Sequence, residues 1–434
     1  MGEFRIAVLG ASGLIGHALA CDLKQRGFST DAYARQFTAA QVSALAPRAV
    51  ETALVTLSQT QLSRLLADAD IVVNCIGVLQ GSSTALVHRT FAHQLATLCA
   101  SEPKRLLIQF SVPGDNQDDP TAFSRSKREA EAVILASGAP HVILRPGFVI
   151  APNAYGGSAL MRALSALPVR LPKREAARAF AAVSMEDICE TVAQIASRWR
   201  EGQKDWRQTW DLMEETPGTV GDLIEAFRTH GGGPLAIMTI PSWLIGLGGR
   251  MGDIISLAGW MPAMRSTAIR ELRRGVSGDP LPWIVETGIS PLCAKAAIAA
   301  IVATVQEKWF ARLYLIKALA IVVLVAFWLE SGLLALTVAF KPARAILLAH
   351  GISVRLANAI TIATSLADVL VGLAVAWRPS YRLGLLAGIA ISSAYVLSAI
   401  AIAPDLWVDP LGALVKTLPA IVLMLICLAL ADAR

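Results

Sequence analysis

The chain has 434 residues, of which 54% are hydrophobic and only 17% charged. That length makes two or three domains the prior, and the apolar balance excludes disorder, a collagen-like repeat or a disulfide-stapled mini-protein. The net charge of +6 comes without a basic run or a basic–aromatic stripe. Nucleic acid is therefore not an expected partner, whereas mild basicity suits an anionic membrane surface.

The apolar excess is unevenly spread. Residues 1–312 carry 31 of the 39 Lys+Arg and 28 of the 33 Asp+Glu, and the last 122 residues carry 8 and 5, so each part is net +3. A soluble front and a membrane back are expected. The six cysteines are far apart with no C-x-x-C pair, which reads as buried thiols in a reducing compartment. The histidines are scattered too, and His88 and His93 are five apart, the wrong spacing for one helix face. No metal site is expected.

In chain order, Glu3 and Arg5 interrupt the first apolar run, so the amino terminus does not read as a signal peptide. Phe4–Leu9 reads as a strand, Gly10-Ala-Ser12-Gly13-Leu14-Ile15-Gly16 as a glycine-rich turn, and Ala18–Arg26 as a helix. Strand, Gly-x-x-Gly-x-x-Gly and helix in this order cradle a dinucleotide pyrophosphate. Glycine permits the tight turn and close backbone approach, and the helix start presents free N–H groups and a positive dipole end. Gly10, Ser12, Gly13, Leu14, Ile15 and Gly16 are the expected cofactor contacts.

A second strand, Ser29–Ala34, ends at Arg35. An arginine here favours the 2′-phosphate of NADP(H), with NAD(H) left open; Asp31 lies mid-strand and is a poorer ribose ligand. Asp70–Asn74 reads as a buried strand running into Gly77, where backbone can pass close to the adenosine half; Asn74 and Gly77 are further cofactor candidates. Arg105–Val112 is the next strand and delivers Ser111 to the carboxyl edge of the sheet, where ligands sit in such folds.

Gly10-x-x-Gly13-x-x-Gly16, Asn74-x-x-Gly77, Ser111, Ser126-Lys127-Arg-Glu-Ala-Glu and Leu144-Arg145-Pro146-Gly147 follow one another at suitable spacing. Together they resemble an extended or atypical short-chain dehydrogenase/reductase, of the branch holding the NADP-binding accessory subunit of respiratory complex I and the NmrA-like proteins. The resemblance covers about residues 4–290, strongly to 150 and loosely beyond. It implies an α/β fold, a doubly wound parallel Rossmann sheet with a small carboxyl-terminal lobe. It also implies that Lys127 hydrogen-bonds the nicotinamide ribose, and that Arg145, Pro146 and Gly147 flank the nicotinamide pocket. Ser111 and Lys127 are the catalytic candidates. One departure stands out: the family's Tyr-x-x-x-Lys is Phe123-Ser-Arg-Ser-Lys127 here, and phenylalanine has no proton to give to a carbonyl. Thr121, Ser124 and Tyr155 are the hydroxyls that could substitute. Asp187 precedes an amphipathic helix and reads as a cap or scaffold residue.

Residues 205–290 are punctuated by Gly231-Gly-Gly-Pro234 and Gly275-Val-Ser-Gly278-Asp-Pro280. Pro241–Met264 between them is apolar, but Arg250 and Asp253 argue against a span. Two readings stay open, a lobe with its own core and a segment resting in the headgroup region. Four apolar stretches follow, at about Leu313–Leu334, Leu356–Trp377, Leu383–Ala403 and Pro410–Leu430. Each approaches the ~20 residues that cross a bilayer, and tryptophans lie near their ends. Lys308, Arg312, Arg378, Arg382 and Arg434 fall on one side; Lys341, Arg344 and Arg355 fall on the other, beside Asp405 and Asp409. That bias places the soluble front in the cytoplasm.

Asp368 lies near the middle of the second span, in step with Asn358, Thr361 and Ser365. It faces either a ligand pocket or a neighbouring helix. Trp328-Leu-Glu-Ser-Gly332, Asp368-x-x-x-Gly372 and Asp409-Pro-x-Gly412-x-x-x-Lys416, with the four-span layout, resemble the DoxX-like membrane family. The expected organisation is a Rossmann domain over 1–205, a substrate or membrane-surface lobe over 206–305, and an all-α four-helix transmembrane domain over 306–434. The expected protein is an inner-membrane oxidoreductase with four spans, taking NADP(H) and delivering to a quinone or other lipophilic acceptor. Its rival is a catalytically silent nucleotide sensor or stability factor with a membrane-protein partner.

Overall fold

A computed structural model describes residues 3–46, 48–77, 86–101, 105–114, 119–402, 404, 407 and 414–431. The chain divides into two compact units, one of residues 1–250 and 263–311, the other of 251–262 and 312–434.

The first unit is built on a parallel sheet. Its strands include β1 (Arg5–Leu9), β2 (Ser29–Ala34), β3 (Ala49–Glu51), β4 (Ile71–Asn74), β5 (Leu106–Phe110) and β6 (His141–Pro146), with Arg207–Leu212 at one edge. From that edge the order is Arg207–Leu212, β6, β5, β4, β1, β2, β3, and every pairing is parallel. Ile71–Val73, Leu106–Ile108 and Val142–Leu144 are buried on both faces, as strands covered by helices on two sides must be. Successive residues serve opposite cores: Ile6, Val8, Ile108 and Val142 pack on one face, Ala7, Leu9, Leu107 and Ile143 on the other. This follows from the alternation of side chains across a strand. Strand order reverses between β1 and β4, opening a crevice at the carboxyl ends of the strands.

The helix after the glycine turn runs Leu14–Gln25, a turn earlier than the Ala18 expected. Gly13 is extended and acts as its N-cap, so Leu14 begins the helix and packs with Ile15 against the core. Strand β5 stops at Phe110, which leaves Ser111 just past the sheet. A separate core of Ile150, Met161, Phe180, Leu223, Phe227 and Ile298 holds the small lobe.

The second unit is helical. Val305–Leu336, Val354–Ala376 and Arg378–Ile402 are each long and apolar enough to cross a bilayer. The first begins about two turns before the expected Leu313 and includes the charged Glu307, Lys308 and Arg312. Of the fourth expected stretch, Thr417–Ala429 is a 13-residue apolar helix; Asp405, Asp409, Pro410, Gly412 and Arg434 lie outside the described residues. Leu324, Trp328, Val375, Tyr381, Leu385 and Met424 form the core of this unit.

Candidate functional site

The crevice begins at the glycine turn. Gly10 has φ +84°, and its N–H and that of Ala11 donate to the Tyr33 carbonyl at 2.8 and 3.0 Å, stitching the turn to β2. A Cβ on Gly10 would lie 3.1–3.2 Å from Ile76 and Cys75, and one on Gly16 would run into the Gly10 carbonyl. The turn is closed so tightly that the helix start reaches the sheet edge. No side chain caps Leu14–Gln25 and no acidic residue lies in its first turn. The N–H groups of Leu14, Ile15 and Gly16 therefore have no intrahelical acceptor, and the positive dipole end is uncompensated. The Ser12 carbonyl is anchored by Gln41 Nε2 at 3.1 Å. This cradle fits a pyrophosphate without a metal or a basic side chain.

Arg35 is exposed at the end of β2. The nearby carboxylates are engaged elsewhere: Asp31 faces Arg48 at 3.4 Å, and Glu51 accepts from the Phe37 N–H at 2.7 Å. Asn74 is buried at the end of β4, where its amide donates to Gln109 at 2.8 Å and its oxygen accepts from the Ile76 N–H at 3.1 Å. Its side chain shapes the loop that approaches the crevice and has little capacity left for a ligand.

That loop brings Gly77 to Lys127. A Cβ on Gly77 would sit 3.6 Å from Lys127 Nζ and 3.9 Å from His88 Nε2. Lys127 lies on the helix Ala122–Ala136, capped by Thr121. Its ammonium is buried and donates to the carbonyls of Phe110, at 2.9 Å, and Ile76, at 3.1 Å. Loss of water pulls its pKa down to about 8, against smaller upward pulls from Cys75 and Glu131. Ser111 follows the Phe110 carbonyl directly; its own hydroxyl is buried and has no hydrogen-bond partner among the described residues.

His88 was not singled out by sequence reasoning as a site residue. It sits on a π-helical turn, Leu86–Thr90, a geometry that recurs at functional sites. Its ring packs edge-on against Phe123, with centroids 5.5 Å apart. Ser126 Oγ donates to the Phe123 carbonyl at 3.0 Å and meets His88 Nδ1 at 2.8 Å. That contact fixes the ring against the Lys127 helix. Burial, reinforced by Lys127, pushes the imidazole pKa down to about 3, so His88 is neutral at pH 7.

Other expected residues make contacts within the protein. Arg145 makes a two-pronged ion pair with Glu131, at 3.0 and 2.5 Å, and faces Asp211 at 3.8 Å. Its guanidinium ties β6 to the Lys127 helix. Pro146 ends β6, and a Cβ on the following Gly147 would approach the Ala181 carbonyl to 2.6 Å. Thr121 and Ser124 both hold Glu271, while Tyr155 is more than half exposed. Ser184 caps the helix Met185–Arg200 by accepting from the Asp187 N–H at 2.9 Å; Asp187 lies in the first turn. No group of His, Cys, Asp and Glu able to hold a metal occurs among the described residues.

In the second unit Asp368 is buried between three helices. Ser331 donates to its Oδ2 at 2.8 Å and Tyr395 to its Oδ1 at 2.7 Å. Both carboxyl oxygens are used in helix–helix hydrogen bonds.

Residues 10–195 match the NAD(P)H-binding family model, and residues 325–425 match the DoxX-like family. No curated protein matches the chain significantly by sequence. Solved structures share the fold of the front part. UDP-glucuronic acid 4-epimerase from Bacillus cereus, in complex with UDP-glucuronic acid and NAD, aligns with TM-score 0.52 and 14% identity over 72% of this chain and 100% of the other. The Bordetella bronchiseptica enzyme WbmH, in complex with NAD+, aligns at 0.51 and 14% over 72% and 99%. Human epimerase family protein SDR39U1 with NADPH aligns at 0.51 and 16% over 69% and 99%. The chain thus carries a Rossmann NAD(P)H-binding domain followed by a DoxX-like membrane domain.

Proposed function

We propose that the protein is a membrane-tethered NADP(H)-dependent oxidoreductase that passes reducing equivalents to a lipophilic acceptor of the quinone class. The observation that carries this reading is Lys127: a buried ammonium held at the sheet edge by two carbonyls, where loss of water pulls its pKa down. A nicotinamide bound here would supply hydride. That hydride would carry both electrons and one proton, so reduction of a quinone to the quinol would need one further proton, and with Phe123 in the tyrosine position the ammonium of Lys127 is the group that can give it. His88, neutral and paired with Ser126, sets the shape and polarity of the pocket, and Ser111 offers its unengaged hydroxyl to orient the acceptor.

Arg35, exposed where β2 ends, supports a preference for the 2′-phosphate of NADP(H). The Lys/Arg bias at the span ends supports four spans with the Rossmann domain in the cytoplasm. The membrane unit accounts for a lipophilic acceptor. A second reading, a silent nucleotide sensor that stabilises a membrane partner, is favoured by Phe123 alone.

The test is oxidation of NADPH and NADH by the detergent-solubilised chain with and without a short-chain quinone, beside binding of each nucleotide. Quinone-dependent turnover with NADPH preferred supports the reductase. Tight binding with no turnover establishes the silent module.

A further inference from the structure

The helix Ser242–Leu257 is turned the wrong way out for a water-facing surface. Its small residues point inward: a Cβ on Gly249 would lie 3.4 Å from the Ser266 backbone N, and one on Gly248 3.2 Å from Met264 Sδ. Gly252 is buried. Its large apolar residues point outward. Trp243, Leu247, Met251, Ile254 and Leu257 are all exposed, Leu257 at 78%, and Met261 just beyond at 94%. At ~100° per residue these positions fall on one side of the helix. Arg250, also exposed, lies within the same stripe, between Leu247 and Ile254.

What covers this face follows from where its far end is fastened. Trp260 Nε1 donates to the Ala376 carbonyl at 2.7 Å, and the Arg378 N–H donates to the Ala258 carbonyl at 3.0 Å. The Trp260 ring stands edge-on to Tyr381 with centroids 5.0 Å apart. Those partners stand at the facing ends of the spans Val354–Ala376 and Arg378–Ile402, joined by the exposed Trp377. A link between two spans lies at the membrane–water boundary, and an exposed tryptophan there is its ordinary marker.

We infer that Ser242–Leu257 is an interfacial helix whose bulky stripe enters the headgroup–acyl boundary of the bilayer. The aliphatic stem of Arg250 lies along the stripe and its guanidinium reaches lipid phosphate. Opposite the stripe, Gly248 and Gly249 pack against Met264, Ser266 and Ile269.

The experiment places a nitroxide at Leu247, Met251 or Ile254, each changed to Cys in a Cys293→Ser background. The full chain is reconstituted into phosphatidylethanolamine–phosphatidylglycerol vesicles, with Leu135, exposed on the Lys127 helix, as the aqueous control. Collisions with oxygen should exceed those with a water-soluble nickel chelate at the three stripe positions and fall below them at Leu135. Equal access to the chelate at all four positions would overturn the inference. So would labels shielded from both reagents, or broadened by a second label nearby, because a protein partner or a second copy would then be the occupant.

Discussion

Among single residues, Lys127 carries the proton chemistry of the proposed reaction. Its proton-giving form is lost as pH rises through about 8, so quinone-dependent turnover should decline with an apparent pKa near that value. Lys127→Met should lower turnover by ~10²–10⁴, the range of a lost general acid, while nucleotide binding, which rests mainly on the glycine turn, falls by less. Stability moves in the opposite sense. A lysine whose folded pKa is lowered binds its proton more readily in the unfolded chain, so the folded state gains as pH rises from about 8 toward the ordinary ~10.4. Denaturation midpoints across that window should rise in the wild type relative to Lys127→Met, by an amount on the order of 3 kcal/mol. Ser111 gives a cleaner separation. Its hydroxyl makes no hydrogen bond among the described residues, so Ser111→Ala should shift stability by no more than ~0.5 kcal/mol and lower turnover ~10-fold or more.

At the scale of elements, two substitutions distinguish a binding device from a brace. Gly16→Ala should abolish nucleotide binding and destabilise by ~1–3 kcal/mol, because its methyl group would meet the Gly10 carbonyl and push the helix start away from the sheet. Arg145→Ala should cost ~1–3 kcal/mol, because the buried Glu131 carboxylate loses one of its two arginine partners and keeps Arg128, with nucleotide affinity in the surviving folded protein little changed. Isothermal titration beside thermal unfolding reads both. The glycine turn was legible in sequence because its chemistry is local: strand, turn and helix start all lie within residues 4–25. The role of Arg145 was not, since the motif gives its place at the strand end and only the packed helix shows Glu131 opposite. His88 is harder still. It meets Ser126 across 38 positions, and no spacing rule links a residue on one helical turn to a side chain delivered by another strand–helix unit.

At the scale of the whole molecule, the division into a polar front and an apolar back was visible in the distribution of charge, because a bilayer excludes charge over the length of a span. The start of the first long helix was not, as its opening turns carry Glu307, Lys308 and Arg312 outside any apolar window. Within the membrane unit, Asp368→Leu should strand the Ser331 and Tyr395 hydroxyls and lower stability in detergent by ~1–2 kcal/mol, and Asp368→Asn, which keeps an acceptor and adds a donor, by less.

The proposed reaction passes hydride from nucleotide to quinone at the Lys127 edge of the Rossmann sheet. Its most direct test is quinol formation by the full chain in lipid, using NADPH deuterated at one or the other face of nicotinamide C4. The account predicts a primary isotope effect with one diastereomer only, deuterium lost from that same face, and loss of the quinol signal in Lys127→Met. Quinol formation that shows no isotope effect with either diastereomer and survives Lys127→Met would contradict it.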